Sequence, residues 1–314
     1  MKKIFILFTI FILLIFNNVF ADTVVKLPND ISSGYNKILK SLTGKYYKDY
    51  GAKIVNKDDG HPVRSGNQSI RFEVRQGDCG KQKDGSWSDC KNDRERHELA
   101  AWKKGDTMSK GEYWFSWSIY FPKDHVNLHP LSNAYGQFHQ IGGAPVFMFK
   151  QLKDGYTIVR TIGDEDYDTK VLVENKDMPG NWIDVLINAK WSKKEDGFFK
   201  IWINNKIKYD YIGPTKTKTK VYQKFGIYST SLTAYYNFKN FEFIEKCLNE
   251  KGWPAQTKKT FERLKKRKGL NIKRSIKLYE VCKDFYKPVD IPKRIVYFDE
   301  VRRGKTKDKI GVFK

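Results

Sequence analysis

The sequence predicts an all-β protein, an antiparallel sandwich carrying a small helical insertion near its C-terminus. Three observations lead there. Apolar and polar residues alternate with the two-residue period of a pleated strand in many short runs. Turn signals separate those runs, among them Lys153-Asp154-Gly155, Pro179-Gly180-Asn181, Glu195-Asp196-Gly197 and Gly213-Pro214. Helical segments do not alternate with the strands, which argues for antiparallel pairing. An aromatic content of 15% suits a large sheet-packed core and would equally suit a sugar-binding cleft.

The elements follow in chain order. Residues 1–21 read as a signal peptide. Lys2 and Lys3 precede an apolar run over 4–16 broken only by Thr9, and Val19-Phe20-Ala21 offers the residues a signal peptidase reads. The run is short for a bilayer span, so secretion or periplasmic export is expected, with a retained N-terminal anchor as the alternative. Residues 22–314 are expected to form one domain. Residues 30–48 are polar, with a short helical possibility over 35–42. Residues 69–76 alternate Ile70, Phe72 and Val74 against Arg71, Glu73 and Arg75. Residues 112–121 place Tyr113, Phe115, Trp117, Ile119 and Phe121 on one side. Further strands are expected over 145–150, 156–162, 170–174, 182–191, 198–204 and 295–302. Residues 248–286 show helical spacing at Ile272, Ile276 and Tyr279, with Lys and Arg on other faces. They define a helical insertion over 246–290, after which the chain returns to the sandwich.

Charge and cysteines narrow the setting. Lys and Arg total 59 against 36 Asp and Glu, a formal net charge of +23. Such an excess favours a polyanionic partner: nucleic acid, an anionic membrane surface or an acidic polysaccharide. Export and the lack of a recognition motif argue against nucleic acid. The basic run over 258–277 reads as a solvated helix face, with polyanion binding as the alternative. Four cysteines in an oxidising compartment suggest two disulfides. The local pairings Cys79 with Cys90 and Cys247 with Cys282 are favoured among three possible ones. No Cys-x-x-Cys or His pair suggests zinc, and no compact acidic loop suggests calcium. No cofactor is expected.

Three strand-like segments carry candidate chemistry. In Tyr222-Gln223-Lys224-Phe225-Gly226-Ile227-Tyr228, the residues Tyr222, Lys224 and Tyr228 share one face, with Gly226 leaving open space between them, while Val221, Phe225 and Ile227 point toward a core. In Gln137-Phe138-His139, Gln137 and His139 share a face. In Arg94-Glu95-Arg96-His97-Glu98-Leu99, Arg94, Arg96 and Glu98 share a face, and His97 is opposed to them. Together they supply guanidinium groups, an amide, an imidazole, an ammonium and phenols, a set suited to a sugar carboxylate. His97 reads as structural, and His61, His125 and His129 have no supporting context.

In that order the segments resemble the jelly-roll polysaccharide lyases. Arg96-His97-Glu98-Leu99 is similar to their Arg-x-Glu-Leu strand, Gln137-Phe138-His139 to their Gln-x-His strand, and Tyr222-x-Lys224-x-Gly226-x-Tyr228 to their Tyr-x-Lys-x-Gly-x-Tyr strand. Relatives include alginate lyases, glucuronan lyases and heparin lyase I-type enzymes. The runs over 114–122 and 196–204, together with Tyr297-Phe298-Asp299-Glu300-Val301-Arg302, bring the resemblance nearest to the heparin lyase I and glucuronan lyase side. The resemblance spans residues 70–302 apart from the helical insertion. That insertion and the loop between Cys79 and Cys90 depart from the family pattern.

The resemblance implies a β-jelly-roll and cleavage of a uronic-acid polymer by β-elimination. Gln137, Arg96 and Arg94 would stabilise the charge that develops at the sugar carboxylate. His139, as neutral imidazole, would take the C5 proton. Tyr228, or else Tyr222, would donate to the leaving oxygen. In the relatives one tyrosine does both jobs, or His and Tyr divide them. Lys224 would lower a nearby tyrosine's pKa or bind an acidic group, and Glu98 would pair with Arg96 or Arg94. The competing reading is a non-catalytic, lectin-like jelly roll. A glycoside hydrolase would need paired carboxylates, and the familiar Glu-x-Asp-x-x-Glu strand is absent. The identity of the polymer and the oligomeric state stay open.

Overall fold

A computed structural model describes residues 24–42, 46–82, 84–162, 166–266 and 271–310. The expected signal peptide lies outside the described residues. The strands are β1 (Val24–Val25), β2 (Ser32–Ser33), β3 (Ile38–Lys40), β4 (Ala52–Asn56), β5 (Gln68–Val74), β6 (Arg94–Ala100), β7 (Gly111–Tyr120) and β8 (Ser132–Gln140). They continue with β9 (Pro145–Leu152), β10 (Gly155–Ile162), β11 (Asp166–Glu174), β12 (Trp182–Trp191), β13 (Phe198–Ile203), β14 (Lys206–Ile212), β15 (Val221–Thr230) and β16 (Arg294–Gly304). Among the described residues, four α-helices lie between the last two strands: α1 (Leu232–Lys239), α2 (Phe241–Lys251), α3 (Ala255–Lys265) and α4 (Ile272–Cys282).

The strands form two sheets. The first runs β1-β3-β6-β15-β8-β9-β10-β11, and the second runs β14-β13-β12-β7-β16-β5-β4, with β2 beside β16. Pairing is antiparallel throughout, except that β2 runs parallel to β16. The inward faces meet in one aromatic core. Phe147 of β9 stacks on Phe199 of β13 at 3.8 Å between ring centroids. Phe115 of β7 meets Phe138 of β8 edge-on at 4.8 Å, and Trp117 meets Phe149 at 4.9 Å. Each such ring, fully buried, contributes about 1.5–3 kcal/mol of transfer free energy. The alternation that buries these rings turns the intervening residues to the opposite face. The sequence pattern thereby decides which side chains are free to form a site.

The helices pack around a core of their own: Ile244, Cys247, Leu248, Phe261, Leu264, Leu278 and Cys282. The Cys247–Cys282 disulfide ties α2 to α4, and Cys79–Cys90 closes the loop before β6. Both expected pairings are therefore present.

Three expectations need correction. The helical segment opens at Leu232, not at 246. Its first turn is held by Asp93, whose carboxylate accepts from the backbone N–H and the hydroxyl of Thr233, each at 2.9 Å. Tyr235 then packs with Leu128, Leu131 and Ile291. The sequence pattern assigns no element to residues 232–239, and it is these tertiary contacts that hold them as helix. The expected short helix over 35–42 is absent. There, Asn36 and Lys37 donate their backbone N–H groups to Asp106 at 2.8 and 2.9 Å, and β3 pairs with both β1 and β6. The third correction concerns Gly226 and belongs with the site.

Candidate active site

β6, β15 and β8 lie side by side, with β15 in the middle. Register then decides which side chains meet. Tyr222 pairs with His139 and Lys224 with Gln137 across to β8. Tyr228 pairs with Arg96 on β6 and with Ala134 on β8. Segments more than 120 positions apart in sequence thus meet in one patch, on the face turned away from the aromatic core.

Glu98 is the hub of this patch. Its carboxylate takes Lys224 at 2.7 Å, the Nη1 of Arg96 at 3.2 Å and the amide N–H of Gln137. The side chain is almost fully buried, and a lone carboxylate there would be costly without such donors. Arg96 is held further by Asp89, which accepts from its Nε and Nη2 at 2.6 Å each. This is the two-pronged geometry that makes guanidinium–carboxylate pairs strong. Ser41 takes a further Arg96 N–H at 3.3 Å. The guanidinium of Arg96 also lies over the ring of Tyr228, 4.1 Å from its centroid. Arg94 differs. It donates to the Tyr228 hydroxyl and to the backbone carbonyl of Asn92.

Asp89 and Trp87 both come from the loop that Cys79–Cys90 closes. The indole N–H of Trp87 donates to Asp89 at 2.8 Å, and its ring lies beneath Arg94 at 4.9 Å. The loop therefore holds both arginines, Arg96 through a carboxylate and Arg94 through an aromatic face. Neither residue is marked as functional by sequence alone. The only available signal was the disulfide-closed loop immediately before β6.

Gly226 does not serve as open space in the cleft. Its φ is +130°, and a Cβ there would lie 2.5 Å from the carbonyl oxygen of His97 and 2.9 Å from both Glu98 Cα and Phe72. Only glycine adopts that backbone comfortably, and only glycine lets β15 approach β6 so closely. The register between β15 and β8 slips at the same place, between Phe225 and Tyr228. Tyr228 is re-aimed by that irregularity.

The titratable groups are tuned by this setting. His139 donates from Nδ1 to the carbonyl of Gln140 at 2.9 Å, which leaves Nε2 as the free lone pair. Burial, reinforced by Lys224, pushes its pKa down to about 4, so the ring is neutral near pH 7. Its ring lies 5.2 Å from that of Tyr222. Burial raises the Tyr228 hydroxyl, opposed by Arg96 and Arg94, and raises Tyr222 strongly with help from Glu98. Both phenols therefore keep their protons at neutral pH. Burial lowers the Lys224 ammonium to about 8, against the pull of Glu98.

Of the sequence-derived site residues, Arg94, Arg96, Gln137, His139, Tyr222, Lys224 and Tyr228 share this one patch. His97 is fully buried on the opposite face, with Nδ1 at 2.6 Å from the carbonyl oxygen of Glu73 and its ring against Tyr47 and Tyr50. Among the described residues no cluster of His, Cys, Asp and Glu could hold a metal ion.

The family model described as polysaccharide lyase matches residues 49–246. The chain belongs to the polysaccharide lyase family. The match begins just before β4 and contains all three site strands, while β16 and most of the helical segment fall beyond it. Among solved structures, the endo-β-1,4-glucuronan lyase from the fungus Trichoderma reesei is similar, at 14% identity and a TM-score of 0.50 over 88% of this chain and 94% of that one. An alginate lyase of polysaccharide lyase family 7 overlaps more loosely, at 13% identity and a TM-score of 0.42 over 89% of this chain and 98% of that one. At such identity the first likeness speaks for the fold, and the two antiparallel sheets are that jelly roll. No curated protein matches the chain.

Proposed function

We propose that the protein cleaves a uronic-acid polysaccharide by β-elimination, with His139 as base and Tyr228 as acid. The observation that carries this is that two differently tuned groups stand on neighbouring strands of one patch. His139 offers a neutral imidazole with a free Nε2, and Tyr228 offers a phenol that burial keeps protonated. A base and an acid poised at one pH are what elimination needs.

In this reading Nε2 of His139 takes the C5 proton of the uronate. The electron pair left on C5 forms the C4–C5 double bond, and the C4–O4 bond breaks. The Tyr228 hydroxyl gives its proton to O4. The resulting phenolate lies against Arg94 and Arg96, whose charges stabilise it. The proton then returns from imidazolium to phenolate through solvent, which resets the site. The sugar carboxylate, which gains charge as C5 loses its proton, is met by the remaining amide N–H of Gln137.

Arg96 and Lys224 act from behind. Their donors are committed to Asp89 and Glu98, so they fix the patch and set its potential rather than grip the sugar. The carbonyl oxygen of Gln137 is buried without a hydrogen-bond partner, an acceptor suited to a sugar hydroxyl.

Secretion or periplasmic export fits the two disulfides, and no helix among the described residues is long and apolar enough to cross a membrane. The partner is an anionic polysaccharide, in keeping with the net charge of +23. Incubation with a panel of uronate polymers tests the function. Elimination creates a conjugated unsaturated uronate, and ultraviolet absorbance must rise with each cleavage.

A further inference from the structure

We propose that Lys150 and Arg94 form a second carboxylate subsite beside the elimination centre, one that holds the acidic group of a neighbouring sugar. The inference rests on the lyase reading above and deepens it. The preferred polymer would carry uronates on adjacent sugars.

The argument begins from the charges on the patch. Four cations converge there: Arg94, Arg96, Lys150 and Lys224. Two carboxylates answer them. Asp89 pairs with Arg96, and Glu98 pairs with Arg96 and Lys224. Arg94 and Lys150 are left over. Asp93, the carboxylate next to Arg94 in sequence, is turned to Thr233 through both oxygens. Glu95 is turned to Arg294 and to the backbone of Gly77.

Lys150 owes its place to strand alternation. Phe147 and Phe149 of β9 enter the core, which sends Met148 and Lys150 to the face that carries the site. In register, Lys150 pairs with Ala134, and Ala134 pairs with Tyr228. Two strand spacings, about 10 Å, separate the backbones of Lys150 and Tyr228. The small side chain of Ala134 lies between them, so nothing bulky rises from the sheet across that gap.

Among the described residues, the Lys150 ammonium has no ion pair or hydrogen bond. Burial, and then the like charge of Arg94, pushes its pKa down to about 8. Two cations held near one another without a carboxylate between them are unfavourable in the free protein. An anion placed between them relieves that repulsion and gains two charge-assisted hydrogen bonds. The ligand is the carboxylate of the sugar next to the one that loses its C5 proton. A polymer in which uronates alternate with neutral sugars would leave the pair empty.

The test compares wild type with Lys150→Met, which keeps the apolar stem and removes the charge, and with Lys150→Arg. Each is assayed on glucuronan and alginate, and on the same polymers after partial reduction of their carboxyl groups to neutral alcohols. Wild type is expected to prefer the fully acidic polymers. Lys150→Met should raise KM on them about tenfold, the loss of one charge-assisted contact, with kcat within about threefold. It should also lose the preference, and Lys150→Arg should restore it. A Lys150→Met protein with unchanged KM and unchanged preference overturns the proposal. So does an equal loss on acidic and reduced polymers, which would mark a purely structural lysine. If wild type cleaves neither polymer, that result bears on the lyase reading, which the wider panel of uronate polymers decides, and is distinct from failure of the subsite. The subsite is then judged by calorimetric titration of wild type and Lys150→Met with short glucuronan oligomers. A tenfold weaker dissociation constant in the variant upholds it, and equal constants overturn it.

Discussion

Asp89 accepts both Nε and Nη2 of Arg96 at 2.6 Å, so a carboxylate from the disulfide-closed loop fixes the arginine that lies over the Tyr228 ring. Both side chains are buried. Removing one partner of such a pair leaves an uncompensated charge. Asp89→Asn is expected to cost about 3 kcal/mol in denaturant unfolding. It should also lower kcat on the order of 10- to 100-fold, because Arg96 and Tyr228 lose their alignment. Unchanged stability and kcat would show that the loop does not position the site.

Gly226 gives a test of the backbone. Gly226→Ala combines a disfavoured φ with a Cβ driven against β6. We expect a loss of about 3 kcal/mol or more, seen as a lowered denaturant midpoint. A variant as stable as wild type would contradict the close approach of β15 to β6.

The two tyrosines separate packing from proton transfer. Phe keeps the ring and removes only the hydroxyl. Tyr228→Phe is expected to lower kcat on the order of 100- to 10,000-fold while the protein stays folded. Tyr222→Phe should lose far less, since Tyr222 lies beside the His139 ring and, among the described residues, no arginine donates to its hydroxyl. Circular dichroism with steady-state kinetics decides it. The reverse ranking would move the acid to Tyr222.

His139 makes a pH prediction. The neutral imidazole is the base, and its pKa is lowered to about 4 by burial and by Lys224. The acid limb of kcat/KM is therefore expected near pH 4 rather than near 6.5. The same shift acts on stability. Between pH 6.5 and 4 the unfolded chain binds a proton that the folded one does not, so this contribution is present above 6.5 and is lost as pH falls toward 4. His139→Ala and Gln137→Ala should each abolish most turnover without unfolding, because the patch lies away from the aromatic core. An acid limb near 6.5, or near-wild-type activity in either variant, would contradict the assignment.

Much of this was legible in the sequence for a simple reason. Strand alternation fixes a face residue by residue, so Arg94, Arg96, Gln137, His139, Lys224 and Tyr228 were placed together once their three strands were adjacent. The local disulfides were legible from spacing and expected compartment. What stayed hidden depends on contacts between distant segments. Asp89 and Trp87 sit in a polar loop, and only its folding back onto β6 makes them partners of the arginines. Lys150 is an ordinary strand lysine until β9 is laid beside β8. The edge strands β4 and β14 were missed. In β14, most residues are exposed and the apolar alternation is weak. The segment of α1 carries no helical signal of its own; Asp93 and the contacts of Tyr235 with Leu128 and Leu131 hold it as helix.

The most direct measurement of the central claim is the chemistry of the cut. The protein is incubated with glucuronan, alginate and a heparin-like chain, while ultraviolet absorbance is followed and the products are weighed by mass spectrometry. Elimination predicts an absorbance rise in step with cleavage on at least one polymer, and fragments whose masses sum to the parent with no water added. Cleavage that adds one water per bond without absorbance would make the protein a hydrolase, and tight binding without cleavage would make it a lectin. Either result would contradict the account.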